Sequence, residues 1–236
     1  MKKVLLTVLV ALVAVSSWAV ETPKSGFGVQ IGWAQPILRL NDPTVQPKDS
    51  LAHVAKLNGF KIGLLYDESY IAGFGSKIGF NYTMAGGHTN WTQNKLSFST
   101  RSQTYYQELE LFVDWQYKFE IAKETYLTIY TGPTLQCGLM LQRNVYTRNE
   151  VTDEVTSNTY SAYTTDIHNE HLKRLNVTWG VGAEFQFRRY FVRGGYDFGL
   201  INPYKYKQFE NSDRYTRGRF DQWSIKVGVF IWYDEN

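Results

Sequence analysis

The chain has 236 residues, a formal net charge of +3 and one cysteine, Cys137. Two of its lysines, Lys2 and Lys3, lie in a segment expected to be removed on export, so the remainder is nearly neutral and lacks the basic excess of a nucleic-acid binder. One cysteine excludes an internal disulfide, and stability must come from elsewhere.

The N-terminus reads MKKVLLTVLVALVAVSSWAVETPK, a short basic segment followed by an apolar run over Val4–Val15. Ser17 and Ala19, on either side of Trp18, then supply the small residues of a cleavage site, so residues 1–19 are expected to be a secretory signal peptide. The run is shorter than the roughly 20 apolar residues that a helix needs to span a bilayer. Residues 20–236 are expected to form one domain.

From Gly26 the sequence alternates. Phe27, Val29, Ile31 and Trp33 are apolar, whereas Gly28, Gln30, Gly32 and Ala34 are small or polar. Such a period of two is that of a β-strand whose faces meet different surroundings. A loop from Gln35 to about Ala52 is expected next, because Pro36, Pro43 and Pro47 oppose regular sheet. A second strand, about Lys56–Tyr66, carries Phe60, Ile62, Leu64 and Tyr66 on one face. The connector DESYIA leads to a third, Gly73–Met84.

After a polar loop, Ala85–Ser102, the fourth strand, about Thr104–Phe119, opposes Leu109, Leu111, Val113 and Trp115 to Glu108, Glu110, Phe112 and Asp114. The turn EIAKE precedes a fifth, about Tyr126–Leu141, in which Leu127, Ile129, Leu135, Cys137, Leu139 and Leu141 share a face. Pro133 on that face predicts a bulge or a break in pairing. The longest loop, Gln142–Arg174, is polar and rich in Tyr. The sixth strand, about Leu175–Phe187, and the seventh, about Tyr190–Ile201, are joined by Arg188–Arg189, short enough for a two-residue hairpin. A last polar loop, Asn202–Arg219, reaches the eighth strand, QWSIKVGVFIWY, Gln222–Tyr233.

Eight strands joined by alternating long and short connections predict an all-β fold: an eight-stranded antiparallel up-and-down transmembrane barrel, with short periplasmic turns, long extracellular loops and both termini periplasmic. A lipocalin-like barrel would alternate equally, with its apolar set inside. Volume decides between the two. An eight-stranded barrel has an interior just wide enough for side chains to fill, too narrow for about five large apolar residues per strand. The Gly-rich polar set fits. Aromatic residues at the ends of the apolar faces, among them Phe27, Tyr66, Trp33 and Trp223, suit the two membrane interfaces.

The closing strand, Lys226-x-Gly228-x-x-Ile231-x-Tyr233, resembles the C-terminal signal read by the outer-membrane barrel assembly machinery, although this chain continues with Asp234–Asn236. In layout and strand texture the mature chain resembles the PorT-like small outer-membrane β-barrel proteins of Bacteroidota, and more loosely OmpX and OmpW. The resemblance implies a cell outer-membrane location, membrane lipid as surroundings and the assembly machinery as partner during biogenesis. It carries no catalytic motif.

The lumen set is expected to hold Lys61, Lys77, Glu108, Glu110, Asp114, Lys118, Glu184, Arg193, Asp197 and Lys226, with both signs interspersed. A two-residue hairpin at Arg188–Arg189 would put Glu184 opposite Arg193. Mutual neutralisation then favours a closed, ion-paired core over the alternative of a narrow pore. Phe230 and Trp232 are expected to point inward and narrow the periplasmic mouth. His168 and His171 form a pair in a polar loop with no supporting cysteine, which reads as solvated and not as a metal site. The small barrels that deacylate lipid A carry a His-x-Ser arrangement, and here His53, His88 and His171 are followed two positions on by Ala55, Asn90 and Lys173. No catalytic site, cofactor or metal is expected; the lesser alternative is a lipid A-modifying enzyme, whose triad would have to come from the Ser, Asp and His of the loops. Tyr146, Tyr160, Tyr163, Tyr204, Tyr206 and Tyr215 stand in the long loops, where they suit contact with an extracellular protein or glycan. A monomer is expected.

Overall fold

The computed structural model describes residues 25–41, 55–70, 72–94, 98–163, 172–203 and 217–233. The signal-peptide reading, the His168–His171 pair, Tyr204, Tyr206 and Tyr215 fall outside them. Eleven strands follow in chain order: β1 (Gly26–Asn41), β2 (Ala55–Lys56), β3 (Asn58–Ser69), β4 (Phe74–His88), β5 (Thr92–Asn94), β6 (Phe98–Ala122), β7 (Thr125–Asn149), β8 (Val155–Ser161), β9 (Leu175–Phe187), β10 (Tyr190–Gly199) and β11 (Arg217–Tyr233). Eight of them close a ring in the order β1, β3, β4, β6, β7, β9, β10 and β11, which pairs back onto β1. Every pairing in it is antiparallel. Closure leaves the ring no edge, as a lipid environment demands.

The two faces are inside-out relative to a water-soluble protein. Ile225, Trp115 and Val227 on the outer wall are 56%, 54% and 50% exposed, while Lys77 and Glu108 in the interior are fully buried. Phe27, Phe74, Phe187 and Tyr190 stand exposed at the short-turn end of the wall, and Trp33, Tyr105 and Trp223 at the other.

The short turns follow from backbone chemistry. Phe187 pairs with Tyr190, so Arg188–Arg189 is a two-residue turn, with Arg188 at φ 53°. Lys123–Glu124 makes a second between Ala122 and Thr125, with Glu124 at φ 56°. Positive φ at the first central residue, as at Arg188, matches the turn's twist to that of the strands it joins, whereas at Glu124 the turn follows an unpaired Ile121, where the pairing shifts between Glu120 and Ala122. At the opposite end the strands run further than alternation predicts. β4, β6 and β7 continue to His88, back to Phe98 and on to Asn149, and β8 pairs with β7 over Gln142–Arg148. Above the membrane both faces are wet, so the apolar and polar contrast that marks a strand in sequence vanishes while pairing persists.

Pro36 does not end β1, contrary to expectation. It pairs with Gln222 inside the strand, and its carbonyl accepts a bond from the Leu57 amide at 3.0 Å. Proline has no N–H to return to the Leu57 carbonyl, so of the two bonds that an opposed pair exchanges only this one forms, and the ladder is interrupted at Leu57 between β2 and β3 while its register continues. At Pro133 the β6–β7 bridges skip from Phe112–Thr134 to Trp115–Thr131 with no change of register, a break in pairing and not a bulge.

True bulges lie elsewhere and overturn two facings. Between Gln107 and Glu108, β7 carries one extra residue, Leu139; parity flips beyond it, and Leu141 is buried in the lumen instead of facing lipid. Between Phe27 and Gly28, Ile231 is the extra residue on β11. Phe230 therefore points inward, but Trp232 does not: it stands 55% exposed on the outer wall beside Ile231. One inserted residue reverses every side chain after it.

Candidate functional site in the barrel lumen

The inward positions of the ring carry a charge network that crosses the lumen. Near the short-turn end, Lys77 on β4 holds Glu184 on β9 at 2.6 Å and Asp67 on β3 at 3.4 Å. Asp67 is also paired with Lys118 at 3.0 Å and accepts a bond from Gln116 at 2.5 Å. Arg193 on β10 does face Glu184 in register, yet their nearest atoms are 3.7 Å apart and its main partner is Asp114 on β6, across the lumen. Cross-lumen partners win because the interior is narrow and long side chains project into it radially. Small residues make that room: a Cβ built at Gly182 or Gly195 would collide with the Tyr130 hydroxyl, which donates to the Gly194 carbonyl at 3.0 Å. The Arg193 guanidinium lies 3.6 Å from the Tyr130 ring centroid, a cation–π contact between two buried side chains.

A second layer lies nearer the long loops. Lys61 holds Glu110 at 2.7 Å and donates to Gln222, which in turn donates to Glu108 at 2.5 Å. Tyr106 donates to the other Glu108 oxygen. Amides extend the layer around the wall: Gln30 donates to Asn81 at 2.7 Å, Asn81 to Glu110 at 3.1 Å, and Asn176 to Gln136 at 2.8 Å. Between the layers, Lys226 and Asp197 border a void of about 20 Å³, room for roughly one water molecule. The Lys226 ammonium lies 5.6 Å from the Phe112 ring centroid.

Both ends of the network meet apolar clusters. Leu65, Phe112, Phe191 and Phe230 pack together at inward positions, with Lys77 lying 5.3 Å from the Phe191 centroid. At the long-loop end Leu57, Ala85, Tyr106, Leu141, Ala162, Tyr163, Leu172 and Phe220 form a cap. Two backbone bonds tie the cap down, Ala162 to the Leu141 carbonyl at 2.9 Å and Leu172 to Ala162 at 3.0 Å. Burial raises the Tyr163 phenol above its ordinary pKa, and the Arg174 guanidinium lies 5.0 Å from its ring centroid.

Lys61, Lys77, Glu108, Glu110, Asp114, Lys118, Glu184, Arg193 and Lys226 are buried within the ring and Asp197 is half-buried. Asp67 was missed because it sits in the segment read as a connector; continuing the alternation of Lys61, Gly63 and Leu65 by one step would have found it. Tyr106 was legible by the same alternation, since it shares the parity of Glu108 and Glu110 in β6; Tyr163 carried no signal of its own, because a returning loop places it. Of the four closing-strand residues likened to an assembly signal, Lys226 and Gly228 face inward and Ile231 outward. Tyr233 ends β11 opposite Gly26, and its side chain lies outside the described residues.

A closed ring with an apolar belt outside and a polar, filled interior defines an integral outer-membrane β-barrel. Residues 24–204 match the family described as outer membrane protein beta-barrel domain. The chain belongs to that family. No curated protein matches the sequence. Among solved structures it is similar to Ail, the attachment invasion locus protein of Yersinia pestis, with 12% identity, a TM-score of 0.37, and 91% of this chain and 100% of that one covered. It is similar also to Neisserial surface protein A, with 12% identity, a TM-score of 0.38 and coverages of 88% and 99%. The outer membrane enzyme PagL is a third, with 9% identity, a TM-score of 0.37 and coverages of 85% and 99%.

Proposed function

We propose that this protein is a monomeric, non-conducting outer-membrane barrel that serves as a scaffold for contact at the cell surface. The observation that carries the reading is the lumen, crossed by ion pairs between non-adjacent strands and capped by an apolar cluster. In planar bilayers the purified protein is expected to give no stepwise conductance. Large, regular steps would overturn the reading in favour of a pore.

The contact surface is the sheet that rises past the ring at the long-loop end. β5 pairs only β6, and β8 only β7, among the described strands, so each offers an edge of backbone donors and acceptors to an extended segment of another protein. Tyr146 on β7 and Tyr160 on β8 add rings of the kind that suit protein or glycan contact. The orientation proposed puts the short turns and both termini in the periplasm, residues 1–19 acting as the export signal and Lys226, Gly228, Ile231 and Tyr233 as the segment read by the assembly machinery. Strand texture further favours a place among the PorT-like barrels. Replacing Val145–Asn158 with a short turn, which spares Ala162 and Tyr163 of the cap, should leave the barrel folded and abolish surface adhesion; adhesion that survives would exclude this segment as the site.

A further inference from the structure

The outer wall is not uniformly tall. Across β9, β10, β11, β1 and β3, two cross-strand rows run side by side. One is Phe187, Tyr190, Val229 and Val29; the other is Phe185, Val192, Val227, Ile31 and Ile62. Each row starts with large aromatic residues and drops to valines, and the second rises again to isoleucines. The result is a trough of about 580 Å³ with a valine floor, within the roughly 300–1,000 Å³ of ordinary ligand sites.

The trough ends at a charged platform. Phe187 and Tyr190, two of its lining residues, flank the Arg188–Arg189 turn, and the neighbouring Lys123–Glu124 turn is joined to it by the Arg188 amide bonding the Glu124 carbonyl at 2.8 Å. Three cations thus stand against one carboxylate in these two turns, while the remaining short turn, residues 70–73, carries none. The Arg188 guanidinium lies 5.4 Å from the Phe187 ring centroid and 3.2 Å from Glu124. That ion pair is exposed on both sides, the kind worth little on its own and open to competition from an arriving anion.

We infer that the trough binds an anionic phospholipid of the periplasmic leaflet, with an acyl chain on the valine floor and the phosphate at Arg188 and Arg189. An arginine fork matches a phosphate's oxygens in geometry and charge, and a short-sided floor lets an acyl chain lie closer to the wall than the tall rows around it allow. The inference rests on the proposed orientation, which puts the short turns in the periplasm.

The test is native mass spectrometry of the full-length protein, released from detergent containing equal amounts of phosphatidylglycerol and phosphatidylcholine. The wild type should retain phosphatidylglycerol in preference. Arg188→Gln with Arg189→Gln should lower that preference about tenfold, the scale expected for lost charge-assisted bonds. Val192→Phe with Val227→Phe should remove the bound lipid while leaving the arginines in place. Equal retention of the two lipids by the wild type, or undiminished retention by the filled trough, would overturn the site. Heat-modifiable migration on the same samples reports separately whether the barrel is folded. Labelling of Lys123→Cys from outside intact cells would overturn the orientation, and with it the leaflet, even if the purified protein kept its lipid preference.

Discussion

Lys61 reaches past a neighbouring strand to Glu110, and the pair is 1–2% exposed. Removing one member of a buried pair strands the other charge, at about 3–5 kcal/mol, whereas replacing both with apolar residues is often close to neutral. Lys61→Met should therefore destabilise the barrel by about 3–5 kcal/mol in urea unfolding, and Lys61→Met with Glu110→Leu should recover most of the loss. Gly228 makes a different residue-scale point. A Cβ there would strike the Phe191 ring and crowd the Val29 carbonyl, so Gly228→Ala should cost about 1–3 kcal/mol by overpacking. Trp232 tests the bulge at Ile231. Kept as the sole tryptophan, it should be quenched by brominated acyl chains as an outer-wall residue; protection from them would return it to the lumen.

At the scale of elements, the ring and the sheet above it are separable. Among the described strands β8 pairs only with β7, over Gln142–Arg148, and Asn144 lies opposite Thr159. Replacing Val145–Asn158 with Asn-Gly closes that hairpin lower down with residues that favour a two-residue turn. The shortened protein should still show heat-modifiable migration, because Tyr163 and the cap lie beyond the cut. Loss of the folded band would mean that the protruding sheet is part of the folding unit. The bulges show why facing was the least legible feature of the sequence. Alternation names two faces, but one extra residue at Leu139 or Ile231 exchanges them, and nothing about a leucine or an isoleucine announces that it is unpaired.

The whole molecule replaces an apolar core with a polar one. Its principal lumen ion pairs are 0–3% exposed, out of reach of ions that screen surface charges over a Debye length of about 10 Å at 0.1 M and 3 Å at 1 M. Raising salt over that range should leave the unfolding midpoint in urea nearly unchanged; a large fall would mean that the network is hydrated from outside.

Taken alone, the sequence determined the class of fold, the number of ring strands and the inside-out arrangement, and it pointed to most of the lumen charges, Asp67 excepted. These follow from a period of two, from hairpin rhythm and from the volume an eight-stranded interior can hold, all local or additive properties. Which charge meets which was decided only by the tertiary structure, because Glu184 has Arg193 beside it in register and still takes Lys77 from across the lumen. Closure of the ring also decided the direction of Trp232, the passage of β1 through Pro36 and the trough beneath Arg188. Each depends on how many residues two distant strands spend along a shared ladder, and no single strand carries that count.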